Sequence, residues 1–109
     1  MDLNTVKSIY RNTADYANKE VTLGGWIRTM RVSKNFGFIE LNDGSFFKNI
    51  QIVFEADTLS NYAEITKLSV GAAIIVKGLL VETPEAKQPF EVKAQEIAQN
   101  GEERRNLFP

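Results

Sequence analysis

Gly25-Trp26-Ile27-Arg28-Thr29-Met30-Arg31, Phe36-Gly37-Phe38-Ile39-Glu40-Leu41-Asn42-Asp43-Gly44-Ser45 and Ile50-Gln51-Ile52-Val53-Phe54 decide the fold of this chain. Side-chain character alternates along the last two of these pieces, the mark of strands that bury one face. Ile39 and Leu41 share one face of the second piece, and Phe36, Phe38 and Glu40 share the other. In the third, Ile50, Ile52 and Phe54 oppose Asn49, Gln51 and Val53. Asn42-Asp43-Gly44-Ser45 is a strong turn signal. Strands are predicted over about 20–31, 35–41 and 48–55. In the first, Val21, Leu23 and Ile27 form the apolar side, and Gly24-Gly25 predicts a bulge or bend where it interrupts them.

Outward from this core, Val6, Ile9, Tyr10 and Ala14 fall at spacings of three and four, predicting a helix over 3–18 capped by Asn4 or Thr5. A helix so short must pack on the domain to persist. Leu59, Tyr62, Ile65 and Leu68 predict a second helix over 57–68, opened by Asp57 or Thr58. After Gly71 a fourth strand covers 73–82, Thr83 to Pro89 form a polar loop with two prolines, and a fifth strand covers 90–97. Three strands, a helix and two strands describe an all-β fold, the five-stranded oligonucleotide-binding Greek-key barrel, here with an N-terminal helix. Other small barrels and a sandwich share this element order. The division is an N-terminal helical extension (1–20), a barrel (21–98) and a polar linker or tail (99–109).

At 109 residues, 43% hydrophobic and 25% charged, the chain has the length and composition of one globular domain. No run reaches the ~18 apolar residues of a membrane span, and the start has no basic-then-apolar signal pattern. With no cysteine and no histidine, disulfides, thiol nucleophiles, serine–histidine chemistry and histidine-ligated zinc are excluded within the chain. The lack of cysteine suits a reducing cytoplasm. A net charge of −1 argues against broad phosphate gripping of duplex DNA, so any nucleic-acid contact should be short and read through bases.

The candidate site lies on the outer strand faces. Phe38 points away from Ile39 and Leu41, placed either to stack an unpaired base or to pack under a loop. Phe36 shares that face, with loop anchoring as its rival role. Gln51 presents an acceptor and two donors that match the Watson–Crick edge of a base, and Asn49 is its weaker neighbour; a solvated strand position is the plain alternative. Arg28, Arg31 and Lys34 gather at the end of the first hairpin, suited to phosphate or to stacking on a base, as well as to an ordinary exposed turn. Trp26, beside the glycine pair, reads as core. Glu40, Asp43 and Glu55 read as turn and surface acids, with no nucleophile or metal-ligand spacing to recruit them. Gly24-Gly25 lacks the residues of a phosphate-binding loop.

Residues from about Val21 to Ile97 resemble the N-terminal domain of the class II asparaginyl-, aspartyl- and lysyl-tRNA synthetases. The likeness is carried by Gly25-Trp26-Ile27-Arg28, Phe38-Ile39-Glu40-Leu41 and Ile50-Gln51-Ile52-Val53. The segment from Leu41 to Gln51 resembles the asparaginyl members in particular; aspartyl enzymes usually carry a shorter, arginine-bearing turn there. The resemblance implies a domain that binds the anticodon loop splayed over the first three strands. The family's stacking phenylalanine falls on Phe38, the partner of the central uridine on Gln51 and the strand-end arginine on Arg31. For asparagine tRNA the anticodon is GUU, its outer bases read in part by the loop Thr83 to Gln88. Val32 departs from the aspartate that many relatives carry after the arginine.

The class II catalytic motifs are absent. The chain is therefore expected to need no cofactor itself, with ATP and magnesium belonging to a missing catalytic domain that ligates asparagine to the tRNA. The expected partner is the asparagine tRNA anticodon loop, with no membrane. A homodimer is expected of the full-length enzyme, and a monomer of this chain by itself. The rival readings are a general single-strand binder of the same fold and a protein-interaction module.

Overall fold

The computed structural model describes residues 3–99. Two short helices, α1 (Val6–Arg11) and α2 (Thr13–Tyr16), precede β1 (Glu20–Val32), β2 (Phe36–Asn42) and β3 (Ile50–Glu55); α3 (Tyr62–Ile65) separates these from β4 (Ala73–Glu82) and β5 (Phe90–Gln99). The strands close a barrel in the order β1-β2-β3-β5-β4. Closure depends on the length of β1, whose first half pairs with β4 (Val21 opposite Gly78) and whose second half pairs with β2 (Arg31 opposite Phe38). All neighbours are antiparallel except β3 and β5, which run parallel with Gln51 opposite Glu91.

The apolar faces read from the alternation turn inward. Leu23, Ile27, Ile39, Leu41, Ile52, Phe54, Ile74, Val76, Leu80 and Val92 are fully buried. Gly37 shows how the interior is fitted: a Cβ there would lie 2.5 Å from Cζ of Phe54, its partner on β3, so the ring occupies the space a side chain would need. The N-terminal segment is part of this packing, with Val6 and Ile9 fully buried in the same core. No described helix is long and apolar enough to cross a membrane.

Four sequence expectations are corrected. The helix over 3–18 is broken at Asn12, whose backbone leaves helical geometry (φ −132°, ψ 44°) to join α1 and α2. The helix over 57–68 is a string of turns around four α-helical residues: Asp57 and Thr58 lie in turns, and Asn61, at the actual start, donates its side-chain amide to the Ile97 carbonyl instead of capping. The irregularity in β1 lies at Arg28 rather than Gly24-Gly25: Ile27 faces Leu41 and Thr29 faces Glu40, leaving Arg28 as the extra residue. The glycine pair keeps regular register with β4, and Gly25 serves close approach, since a Cβ would lie 2.3 Å from the Asn42 carbonyl oxygen. Finally, Trp26 is surface rather than core; it is 38% exposed and covers the turn at Gly44. Of the expected tail, Gln99 is the last residue of β5 and 100–109 lie outside the described residues.

Candidate nucleic-acid interface

The outer faces of β1, β2 and β3 form one surface because their register sets the candidate residues side by side. Arg31 stands opposite Phe38 on adjacent strands, and its guanidinium carbon lies 5.6 Å from the centre of the Phe38 ring. Phe36 meets Phe38 edge-on at 5.5 Å and is 41% exposed. Glu40 stands opposite Gln51 on the next strand pair and accepts a hydrogen bond from the Thr29 hydroxyl at 2.8 Å. Strand parity thus sends Phe36, Phe38, Glu40 and Gln51 outward, as expected from the alternation.

Gln51 is not a free amide. Its Nε2 donates to Oε1 of Glu91, 3.2 Å away on β5. A carboxylate only accepts, so the nitrogen is the end that faces it, which leaves Oε1 and the second N–H for a ligand. Beside Gln51 lies a groove of about 540 Å³ lined by Tyr10, Arg31, Glu40, Phe47, Lys48, Asn49, Lys87, Gln88 and Pro89. The β4–β5 loop, expected to help read a loop of RNA, therefore supplies Lys87 and Gln88 to the same surface.

The loop from Asp43 to Asn49 is pinned on both sides. Asp43 Oδ1 accepts from the Ser45 N–H and hydroxyl, while Oδ2 accepts from the Val6 N–H at 2.9 Å. The Lys7 N–H donates to the Ser45 hydroxyl, and Asn42 Nδ2 donates to Asn49 Oδ1. Tyr10 donates its hydroxyl to the Asn49 carbonyl at 2.8 Å and packs its ring, tilted, against Phe46 (5.0 Å) and Phe90 (4.7 Å). Burial, and secondarily the charge of Glu40, push the Tyr10 phenol above its usual 10.0. Lys48 Nζ lies 5.7 Å from the ring centres of both Tyr10 and Phe47, and Phe47 is 81% exposed.

Of the sequence candidates, Arg31, Phe36, Phe38, Asn49 and Gln51 come together. Asn49 does so through the loop, since β3 begins one residue later at Ile50. Arg28 is exposed on the bulge and Lys34 is exposed in the β1–β2 turn; neither lines the groove. Sequence reasoning missed Tyr10, Phe47, Lys48 and Glu91. The Phe46-Phe47-Lys48 run inside a turn was a visible signal for two of them. Tyr10 read as helix core, and Glu91 needed the parallel β3–β5 pairing to be seen.

Residues 21–99 match the tRNA anti-codon family, described as an OB-fold nucleic acid binding domain. The chain belongs to this family. As an anticodon-family domain it is 65% identical to the asparagine–tRNA ligase of Acetivibrio thermocellus and 60% identical to that of Desulfitobacterium hafniense, in each case over 93% of its own length and 22% of the relative's. It thus spans about a fifth of the curated relatives it matches. The crystal structure of asparaginyl-tRNA synthetase from Pyrococcus horikoshii complexed with asparaginyl-adenylate superimposes with a TM-score of 0.78 at 18% identity, covering 91% of this chain and 22% of that one, which establishes a shared barrel.

Proposed function

We propose that this domain recognises the anticodon loop of asparagine tRNA on behalf of an asparaginyl-tRNA synthetase, whose remaining domain, with ATP and magnesium, ligates asparagine to that tRNA. The observation that carries the reading is the convergence of Arg31, Phe38 and an oriented Gln51 on one exposed face of a family barrel. Phe38 supplies a flat apolar face for one unstacked base, worth about 1–3 kcal/mol. Arg31, beside that ring, adds a cation at the stacked base. The Gln51 amide pairs with the polar edge of the central base.

Uracil offers an N3–H donor next to the O4 acceptor, and cytosine offers the reverse. An amide held in one orientation complements the first and clashes with the second. Arg28 and Lys34, off the groove, are assigned to the RNA backbone outside the central base. The protein is placed in the cytoplasm with the translation machinery, with the whole enzyme a homodimer and this domain by itself a monomer.

The test is a titration of the domain with a GUU anticodon stem-loop and with one whose central U is changed to C, at fixed moderate salt. Preference for U is the expected result. Phe38→Ala should weaken both loops alike, and Gln51→Ala should remove mainly the preference. Equal binding of both loops by the unaltered protein would replace the reading with that of a general single-strand binder, and no binding at all would favour a protein-interaction module.

A further inference from the structure

Phe47 stands out from every other aromatic residue described. It is 81% exposed, yet it sits on a loop fixed by the Asp43, Ser45, Asn42 and Tyr10 hydrogen bonds rather than on a free tip. Its ring is braced from within by Phe46, 4.6 Å away, and Lys48 Nζ lies 5.7 Å from its centre. A large apolar ring held in water by a pre-ordered loop is a costly arrangement for structure alone, because the fold gains little burial from it. The ring lines the groove that also holds Arg31 and Gln51, and Arg31 in turn lies 5.6 Å from the centre of the Phe38 ring.

Resting on the anticodon reading above, we infer that Phe47 is a second stacking platform, which takes a base adjoining the central one. Lys48 pairs with that nucleotide's phosphate. RNA rather than a protein partner is favoured by the company the ring keeps: Lys48 lies beside it, Lys87 lines the same groove, and that groove holds an amide suited to base edges. The N-terminal extension acquires a role in binding, since Tyr10 and the Val6 and Lys7 N–H groups hold the platform in place.

Phe47→Ala, Phe47→Leu and Phe47→Tyr should be titrated with the GUU stem-loop, and with the same loop made abasic at the central position and at each position flanking it in turn. Phe47 supports no core residue, so each variant should keep the circular dichroism of the parent. The alanine and leucine variants should lose about 5- to 150-fold in affinity, the range for one stacked base, while tyrosine retains it. That loss should vanish on RNA abasic at one flanking position and persist when the central base is the one removed. Unchanged binding by Phe47→Ala, or the same loss on every abasic loop, overturns the inference. Loss of U-over-C preference in the unaltered protein strikes the Gln51 reading and leaves the platform standing, whereas no binding by the unaltered protein removes both.

Discussion

Replacing Glu91 should abolish discrimination without abolishing binding. A free glutamine amide can turn end for end and pair with either uracil or cytosine, so it confers no preference between them. In this fold the turn is opposed, because it would break the 3.2 Å bond to Glu91 and set Oε1 against a carboxylate. The preference for U over C is therefore bounded by the strength of that bond. Hydrogen bonds to charged groups contribute about 1.5–3 kcal/mol, and partial exposure puts this one at the low end, so the lock is worth about tenfold. Glu91→Gln keeps the volume of the side chain but can present either an oxygen or a nitrogen to Gln51; Glu91→Ala presents neither. Both should bring the U-to-C ratio toward one while affinity for the GUU loop changes little. The assay is fluorescence anisotropy with labelled stem-loops differing only at the central base, at one salt concentration. A ratio that stays at its original value in both variants would refute the orientation argument. An equal loss for both loops would assign Glu91 to general binding.

Three further outcomes follow from the geometry. Gly25→Ala should lower the urea midpoint by the equivalent of about 1–3 kcal/mol, because its Cβ would meet the Asn42 carbonyl at 2.3 Å and force β1 from β2. Stability should hold below pH 10 and fall as pH rises through the raised Tyr10 pKa, since the unfolded chain ionises its tyrosine first; denaturation midpoints across the alkaline range should lose that component in Tyr10→Phe. With Arg31, Lys48 and Lys87 in the groove and Arg28 and Lys34 assigned to the RNA backbone, the plot of log affinity for the GUU loop against log salt should have a slope no steeper than about −3.5, from −0.7 per phosphate on a single strand.

The barrel was legible because alternation is local. Ile39 with Leu41 against Phe36 with Phe38, and Ile50 with Ile52 against Gln51, assign faces without knowledge of the partners. What alternation could not carry was set by tertiary contact. The bulge sits at Arg28, although a glycine pair lay nearby, because Gly25 was needed for close approach to Asn42 and β1 changes partners just beyond it. Trp26 turned outward for the same reason: its position falls where β1 is shared by Ala73 and Asn42, leaving the ring to lie over Gly44. The second helix shrank although Leu59, Tyr62, Ile65 and Leu68 all pack on the core, because a string of turns delivers them there as well as a helix does and apolar spacing does not tell the two apart. In the site, strand residues were readable from their faces, whereas Phe47 and Lys48, in a loop that obeys no period, offered only their composition as a signal.

The net charge of −1 and a nucleic-acid surface are compatible once the charge is located. Lys77 is spent between Glu20 and Glu96 on the β1–β4–β5 side of the barrel, while Arg31, Lys48 and Lys87 line the groove with Glu40 as the acid among them. Such a surface attracts a strand weakly and locally, so affinity has to come from stacking and from correctly placed donors and acceptors. Those terms depend on position far more steeply than Coulomb attraction does, which gives a physical reason for a binding loop tied down by hydrogen bonds from the N-terminal segment. The pinned loop, the braced ring and the locked amide are one solution to a single requirement. A domain that reads bases without a strong field must hold its reading groups in place before the RNA arrives.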